Sequence, residues 1–251
     1  MTKYIIHVIA CLSSLLAIIC PLNAQSTTGT NGLIKAPTAR MFEDGTFSIG
    51  AAFIPPGYHK RTFGTKQGDI VPNAGLNTFI TANFFPFMEV MFRYSHELNL
   101  PVLPVTKYFP DRMFTVRFKV LNESEKRPAI VIGLQDVTAA FDASCKGCSN
   151  FSSTYVVASK QFYLKEIKVD ASIGYGGGLG DLEVKEFDGF FGGVQISPPN
   201  FFNTQVLVDY DATHVNLGVQ KLLFNRIHTM VSYYPMYQKI GWVLAYRLNM
   251  F

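Results

Sequence analysis

The sequence predicts an all-β protein, an antiparallel transmembrane β-barrel of about 12 strands. Three observations carry this reading: a leader-like N-terminus, many short segments of period-two patterning between Pro, Gly, Asn and Asp clusters, and aromatic residues gathered near the segment ends. Composition agrees. The 251 residues are 48% hydrophobic and 14% aromatic, with 22 Phe and 20 Gly, a mixture that favours strands and tight turns. Only 16% are charged and the formal charge is +4, which excludes a disordered tail and a strongly basic nucleic-acid binder.

Taken in chain order, Lys3 supplies a positive charge, residues 4–20 an apolar run, and "PLNA" a break before Gln25. This predicts a signal peptide over 1–24, cleaved after Ala24. An uncleaved helical anchor is the alternative, near the short end of what spans a bilayer. A lipoprotein reading is weaker: Cys20 follows the bulky Ile18 and Ile19, and Cys11 has little apolar sequence before it. Residues 25–45 read as an N-terminal periplasmic or plug segment, and 46–251 as the barrel.

The strands predicted are 46–54, 78–85, 88–96, 114–121, 129–137, 154–162, 167–175, 190–196, 204–209, 214–222, 228–234 and 241–248. The pattern "MFTVRFKVL" shows why each needs two solvents. Phe114, Val116, Phe118 and Val120 share one face, and Thr115, Arg117 and Lys119 share the other. In a barrel the first set meets lipid, because reversing the faces would put two cations into hydrocarbon at roughly 2–4 kcal/mol each near the midplane. The lumen-facing candidates are Arg93, Arg117, Lys119, Lys160, Asp170, Asp209 and Arg247. A soluble sandwich or a lipid-binding barrel gives the same alternation, and the leader, strand number and aromatic ends favour the transmembrane form. Phe251 ends the chain but is out of phase with the apolar set Trp242, Leu244, Tyr246 and Leu248.

Past the leader, Cys145 and Cys148 stand in "DASCKGCSN", where a small loop disulfide is the expected pairing in an exported chain. Free or redox thiols are the alternative, although no helical pattern follows to lower a thiol pKa. "YSHEL" offers Ser95, His96 and Glu97, but neighbours on a strand point to opposite faces and form no relay by themselves. The glycine run "GYGGGLGD" matches neither a dinucleotide loop nor a P-loop. The five histidines are scattered, so no metal and no cofactor is expected.

Three ordered words, "NGLIKAPTARMFEDGTFSIG", "RPAIVIGLQDV" and "FSSTYVVASKQF", resemble the YjbH family of exopolysaccharide biosynthesis proteins, over about residues 31–175. The resemblance implies a non-catalytic barrel of the Gram-negative outer membrane that assists exopolysaccharide assembly or secretion, here as a short single-module form. Outer-membrane lipid, the exopolysaccharide and its export machinery would be its partners, with no nucleic acid. The residues carrying the motif are Pro37, Thr38, Arg40, Gln135, Asp136, Ser159 and Lys160. Arg40 fits either an inward plug that pairs with a carboxylate or a solvated cation in a capping loop. Gln135 and Asp136 fit a turn or a sugar contact, and Lys160 a pair with Asp170 or an acidic glycan. An outer-membrane lipid- or glycan-modifying enzyme using His96, or a small structural or binding barrel, is the alternative function.

Overall fold

In the computed structural model, residues 24–56, 58, 74–98, 111–136, 151–178, 186–199, 201 and 203–250 are described. Twelve strands form: β1 (Thr46–Ile54), β2 (Ala74–Asn83), β3 (Met88–Leu98), β4 (Asp111–Leu121), β5 (Ala129–Gln135) and β6 (Ser153–Leu164) are followed by β7 (Ile167–Gly177), β8 (Gly189–Ser197), β9 (Thr204–Tyr210), β10 (Val215–Leu223), β11 (Ile227–Tyr234) and β12 (Lys239–Asn249). Each pairs antiparallel with its sequence neighbours. The seam is closed by β1 on β12, where Thr46 faces Asn249 and Phe53 faces Trp242. Closure removes both sheet edges, so every strand finds two backbone partners.

Connections sort by end. Those after even-numbered strands, 84–87, 122–128, 165–166, 198–203 and 224–226, lie at one end together with the start of β1 and the finish of β12. Those after odd-numbered strands include the long spans 55–73, 99–110, 136–152 and 178–188, as well as the short 211–214 and 235–238. The "PMYQ" turn is therefore a short connection on the long-loop end. Left-handed residues close several tight turns, among them Phe85, Lys165, Phe224, Asn225 and Gln238.

The two faces of the wall differ as period two requires. Outward side chains are large and apolar, with Ile173 64% and Phe190 67% exposed, while Arg117 on the inner face is fully buried. Phe114, Phe118 and Val120 are exposed, and Thr115 shares the sealed interior. Inside, glycine admits aromatic rings laid along the wall. Tyr155 lies across its register partner Gly133, and Phe191 across Gly174, and a Cβ at either glycine would overlap the ring.

Boundaries depart from the sequence reading where the alternation fades. β2 begins at Ala74 instead of 78, because its pairing with β3 runs on through Gly75 and Asn77 to Leu98. His214 precedes β10, and 137 falls outside the described residues, as do Cys145, Cys148 and Phe251. Replacing Gly133 by Leu should overpack the Tyr155 ring at about 1–3 kcal/mol. A lowered temperature for the loss of heat-modifiable gel mobility, partly restored by Tyr155→Ala, checks it.

Candidate functional site

Among the described residues, 24–42 lie inside the barrel, almost all of them buried against the inner face. The segment makes two successive loops, closed by bridges between Gln25 and Asn31 and between Gly32 and Pro37. Pro37 supplies a fixed φ without needing a donor. The first loop is seated against β1 and β2. Ser48 Oγ donates to Gln25 Oε1 at 2.7 Å, Thr81 Oγ1 to the Gly29 carbonyl at 2.6 Å, and Asn77 Nδ2 to the Thr27 carbonyl at 3.0 Å.

Arg117 joins the limbs at the centre. Its Nη1 donates to Glu89 Oε1 at 2.6 Å and to the Asn31 carbonyl at 2.8 Å, and its Nη2 donates to the Thr38 carbonyl and, at 3.3 Å, to that of Arg40. Glu89 and Arg117 are register partners on β3 and β4, and both side chains are fully buried. Such a pair is tolerable only when further hydrogen bonds satisfy it. The plug backbone supplies them.

The second loop reaches the long-loop end. Asp209 Oδ2 accepts the N–H groups of Lys35 and Ala36 at 2.7 and 2.8 Å, and its Oδ1 accepts Asn216 Nδ2 at 2.8 Å. The Lys35 ammonium lies beside Asp211 and Glu186. The chain then returns to the short-turn end. The Ala39 N–H donates to Ser159 Oγ at 2.7 Å, and Arg40 forks onto both oxygens of Asp170 at 2.7 and 2.9 Å while also bonding Glu123. Arg40 thus pairs with carboxylates inside the barrel. A cavity of about 360 Å³ opens beside this exit, lined by Arg40, Phe42, Lys119, Asn122 and Glu123 among others.

Of the lumen candidates, Arg93, Arg117, Asp170, Asp209 and Arg247 are buried on the inner face, and Lys119 lies half-buried on it. Arg93 stands 4.2 Å over the Phe151 ring and Arg247 4.3 Å over that of Phe42. Lys160 corrects the sequence reading. It shares the outward parity of Val156 and Phe162, and its ammonium reaches the 122–128 turn, 2.5 Å from the Ser124 carbonyl and 3.4 Å from Glu123. Its expected partner Asp170 is taken by Arg40. Gln135 is tied to the Phe151 carbonyl at 2.7 Å and to Glu186 at 2.5 Å, and Asp136 turns the chain at φ 58°. Ser95 is buried inward and His96 has the opposite parity.

The sequence reading missed Glu89, Lys35, Glu123, Glu186 and Asp211. A signal existed for Glu89, which shares the period-two face of Arg93 in "MEVMFRYSHEL". The other four sit in the plug or in connections, where no period marks an inner side.

The architecture defines a class, a closed barrel sealed by its own N-terminal hairpin. A family model described as exopolysaccharide biosynthesis protein YbjH matches residues 24–184, and the chain belongs to this YjbH family. Its match covers the plug and the strands β1–β7. No curated protein matches the chain.

Removing the guanidinium alone, as in Arg117→Met, leaves Glu89 buried without its partner and should cost about 3–5 kcal/mol. Adding Glu89→Gln should recover part of that loss in urea unfolding. Acid should also loosen the plug. Burial pushes Glu123 up, but the Gln161 N–H, Arg40 and Lys160 outweigh it and hold the carboxyl below its ordinary 4.5. Burial likewise raises Asp211, and Lys35, the Tyr58 hydroxyl and two backbone N–H groups bring it below 3.8. Depressed carboxyl values mean stability that is complete above the ordinary range and lost as pH falls through the folded values. The urea midpoint should therefore drop with acid, and less steeply in Glu123→Gln.

Proposed function

We propose that this chain is a non-catalytic β-barrel of the cell outer membrane that assists exopolysaccharide assembly or secretion, acting at its mouths while the plug is seated. The carrying observation is the pairing of an apolar outer wall with a sealed, charged interior in a member of an exopolysaccharide family. An outer face of Ile, Val, Phe and Tyr suits acyl chains, whereas buried Arg117 and Glu89 suit a site shielded from them. The short-turn end, carrying the start of β1 and the finish of β12, is the natural periplasmic side of such a barrel.

The filled lumen supports an assisting role over an open pore. Among the described residues, 24–42 occupy the bore, so glycan contact falls to clefts such as the one beside Arg40 and Lys119. Catalysis at "YSHEL" lacks support, since Ser95 and His96 face opposite sides of β3.

Membrane fractionation with heat-modifiable gel mobility tests the location; a soluble periplasmic monomer that needs no detergent overturns it. Deleting the protein should diminish or alter secreted polysaccharide, and normal material outside the cell overturns the role. His96→Ala should leave envelope lipid and glycan chemistry unchanged; a lost modification restores the enzyme reading.

A further inference from the structure

At the short-turn rim, where the plug runs out toward β1, one inward cation has no counter-ion. Arg40 forks onto Asp170 and also bonds Glu123, and Arg117 is paired with Glu89. Lys119 is the next inward residue of β4 after Arg117 and lies half-buried. Among the described residues its ammonium makes no hydrogen bond and no ion pair. The charges that bear on it most are the guanidiniums of Arg117 and Arg40, which repel it, and Glu89, which attracts it but already belongs to Arg117.

Lys119 lines the cavity of about 360 Å³ at this rim, a volume within the roughly 300–1,000 Å³ of small-molecule sites. Its mouth is open, because Glu43, Asp44, Pro86 and Asn122 on the lining are all exposed. The carboxylates nearby are engaged elsewhere or stand at the mouth. Glu123 gives one oxygen to Arg40 and the other to the Gln161 N–H at 2.8 Å and to Lys160 at 3.4 Å. Asp44 Oδ1 accepts the Gly45 N–H at 3.0 Å. A cation partly withdrawn from water, set beside two others in a cleft, attracts an incoming anion.

The rest of the lining selects which anion. Glu43 and Asp44 disfavour a doubly charged phosphate, yet they accept hydroxyl groups well. Asn122 both donates and accepts, and Met41, Phe42 and Pro86 supply apolar surface for C–H groups. One carboxylate on a polyhydroxylated ring answers all of these.

We propose that this cleft binds a uronate residue of an acidic glycan, its carboxylate on the Lys119 ammonium and its hydroxyls on Asn122, Glu43 and Asp44. The anion site follows from the cavity and its unpaired cation; the glycan rests on the exopolysaccharide reading above.

The test titrates α-1,4-trigalacturonate, β-1,4-trimannuronate, the methyl ester of the first and inorganic phosphate into the detergent-solubilised full chain. At least one acidic trimer should bind, and Lys119→Met should weaken it at least about 10-fold, as the loss of a charge-assisted hydrogen bond does. Lys126→Met, which removes an exposed cation from the adjoining 122–128 turn, should leave that affinity unchanged. Failure of both trimers to bind, or equal affinity in Lys119→Met, overturns the proposal. So does an equal loss in Lys126→Met, the mark of general attraction to a basic surface. The methyl ester binding as tightly as the acid overturns the carboxylate contact, and phosphate binding as tightly overturns the sugar. Lys119→Met breaks no pair and relieves repulsion from Arg117 and Arg40, so its urea midpoint should not fall. Should it fail to fold, acetylation of Lys119 in the unaltered protein by a water-soluble reagent replaces it. The bound trimer should slow that reaction, and an unchanged rate overturns the proposal. Binding is read on purified protein, so normal exopolysaccharide in the deletion strain removes the secretion role and leaves the site standing. Altered exopolysaccharide with no trimer bound does the reverse.

Discussion

The guanidinium of Arg117 is the joint on which the interior depends. It touches the wall through Glu89 and both limbs of the plug through the carbonyls of Asn31, Thr38 and Arg40. Desolvating two charges costs several kcal/mol per ion even after relaxation, and only dense hydrogen bonding offsets it. The β3–β4 register, which puts Glu89 opposite Arg117, and the path of the hairpin are thus one constraint. A slip of either would strand a charge.

The plug changes the medium that the inner face meets. Along β5, β6 and β8 the interior is oily: Val131, Tyr155, Val157 and Phe191 pack with Ala36, Ala39 and Met41 of the plug. Along β1 and β2 it is polar, with Ser48, Asn77 and Thr81 bonding plug groups. One hairpin therefore serves as hydrophobic core on one side and as hydrogen-bond partner on the other. Inward glycines at 133 and 174 make room for the rings that complete the oily side.

That division explains what the sequence disclosed and what it hid. Period two made the strands legible, because the outer wall is largely apolar along its length, from "TFSIGAAFI" to the last segment. The inner side was legible where the plug is polar or the face is charged, as at Arg117, Asp170 and Arg247. It failed on β6. There Tyr155 and Val157 point inward while Val156 and Phe162 point outward, so both parities are apolar and Lys160 could not be assigned by alternation. The ion pairs of Lys35 with Asp211 and Glu186 were hidden for a different reason: the three residues are far apart in the chain, in the plug and in two connections, and only closure of the sheet brings them together. The family words nevertheless marked the right places, since they fall on the plug, β1, β5 and β6, and the plug meets β6 at Ala39 and Ser159, beside Ala129 of β5.

Both ends of the described hairpin lie toward one rim of the barrel. Gln25 contacts Ser48, Thr81 and His228, all near the short-turn rim, and the chain leaves by the same rim through Asp44 and Gly45 into β1. The twelve strand pairings among the described residues are made strand to strand and none runs through the hairpin, so none of them depends on its being seated. Because 41–45 connect directly to the seam strand, any retraction of the hairpin would tug on β1 where it meets β12, coupling the contents of the cylinder to its weld.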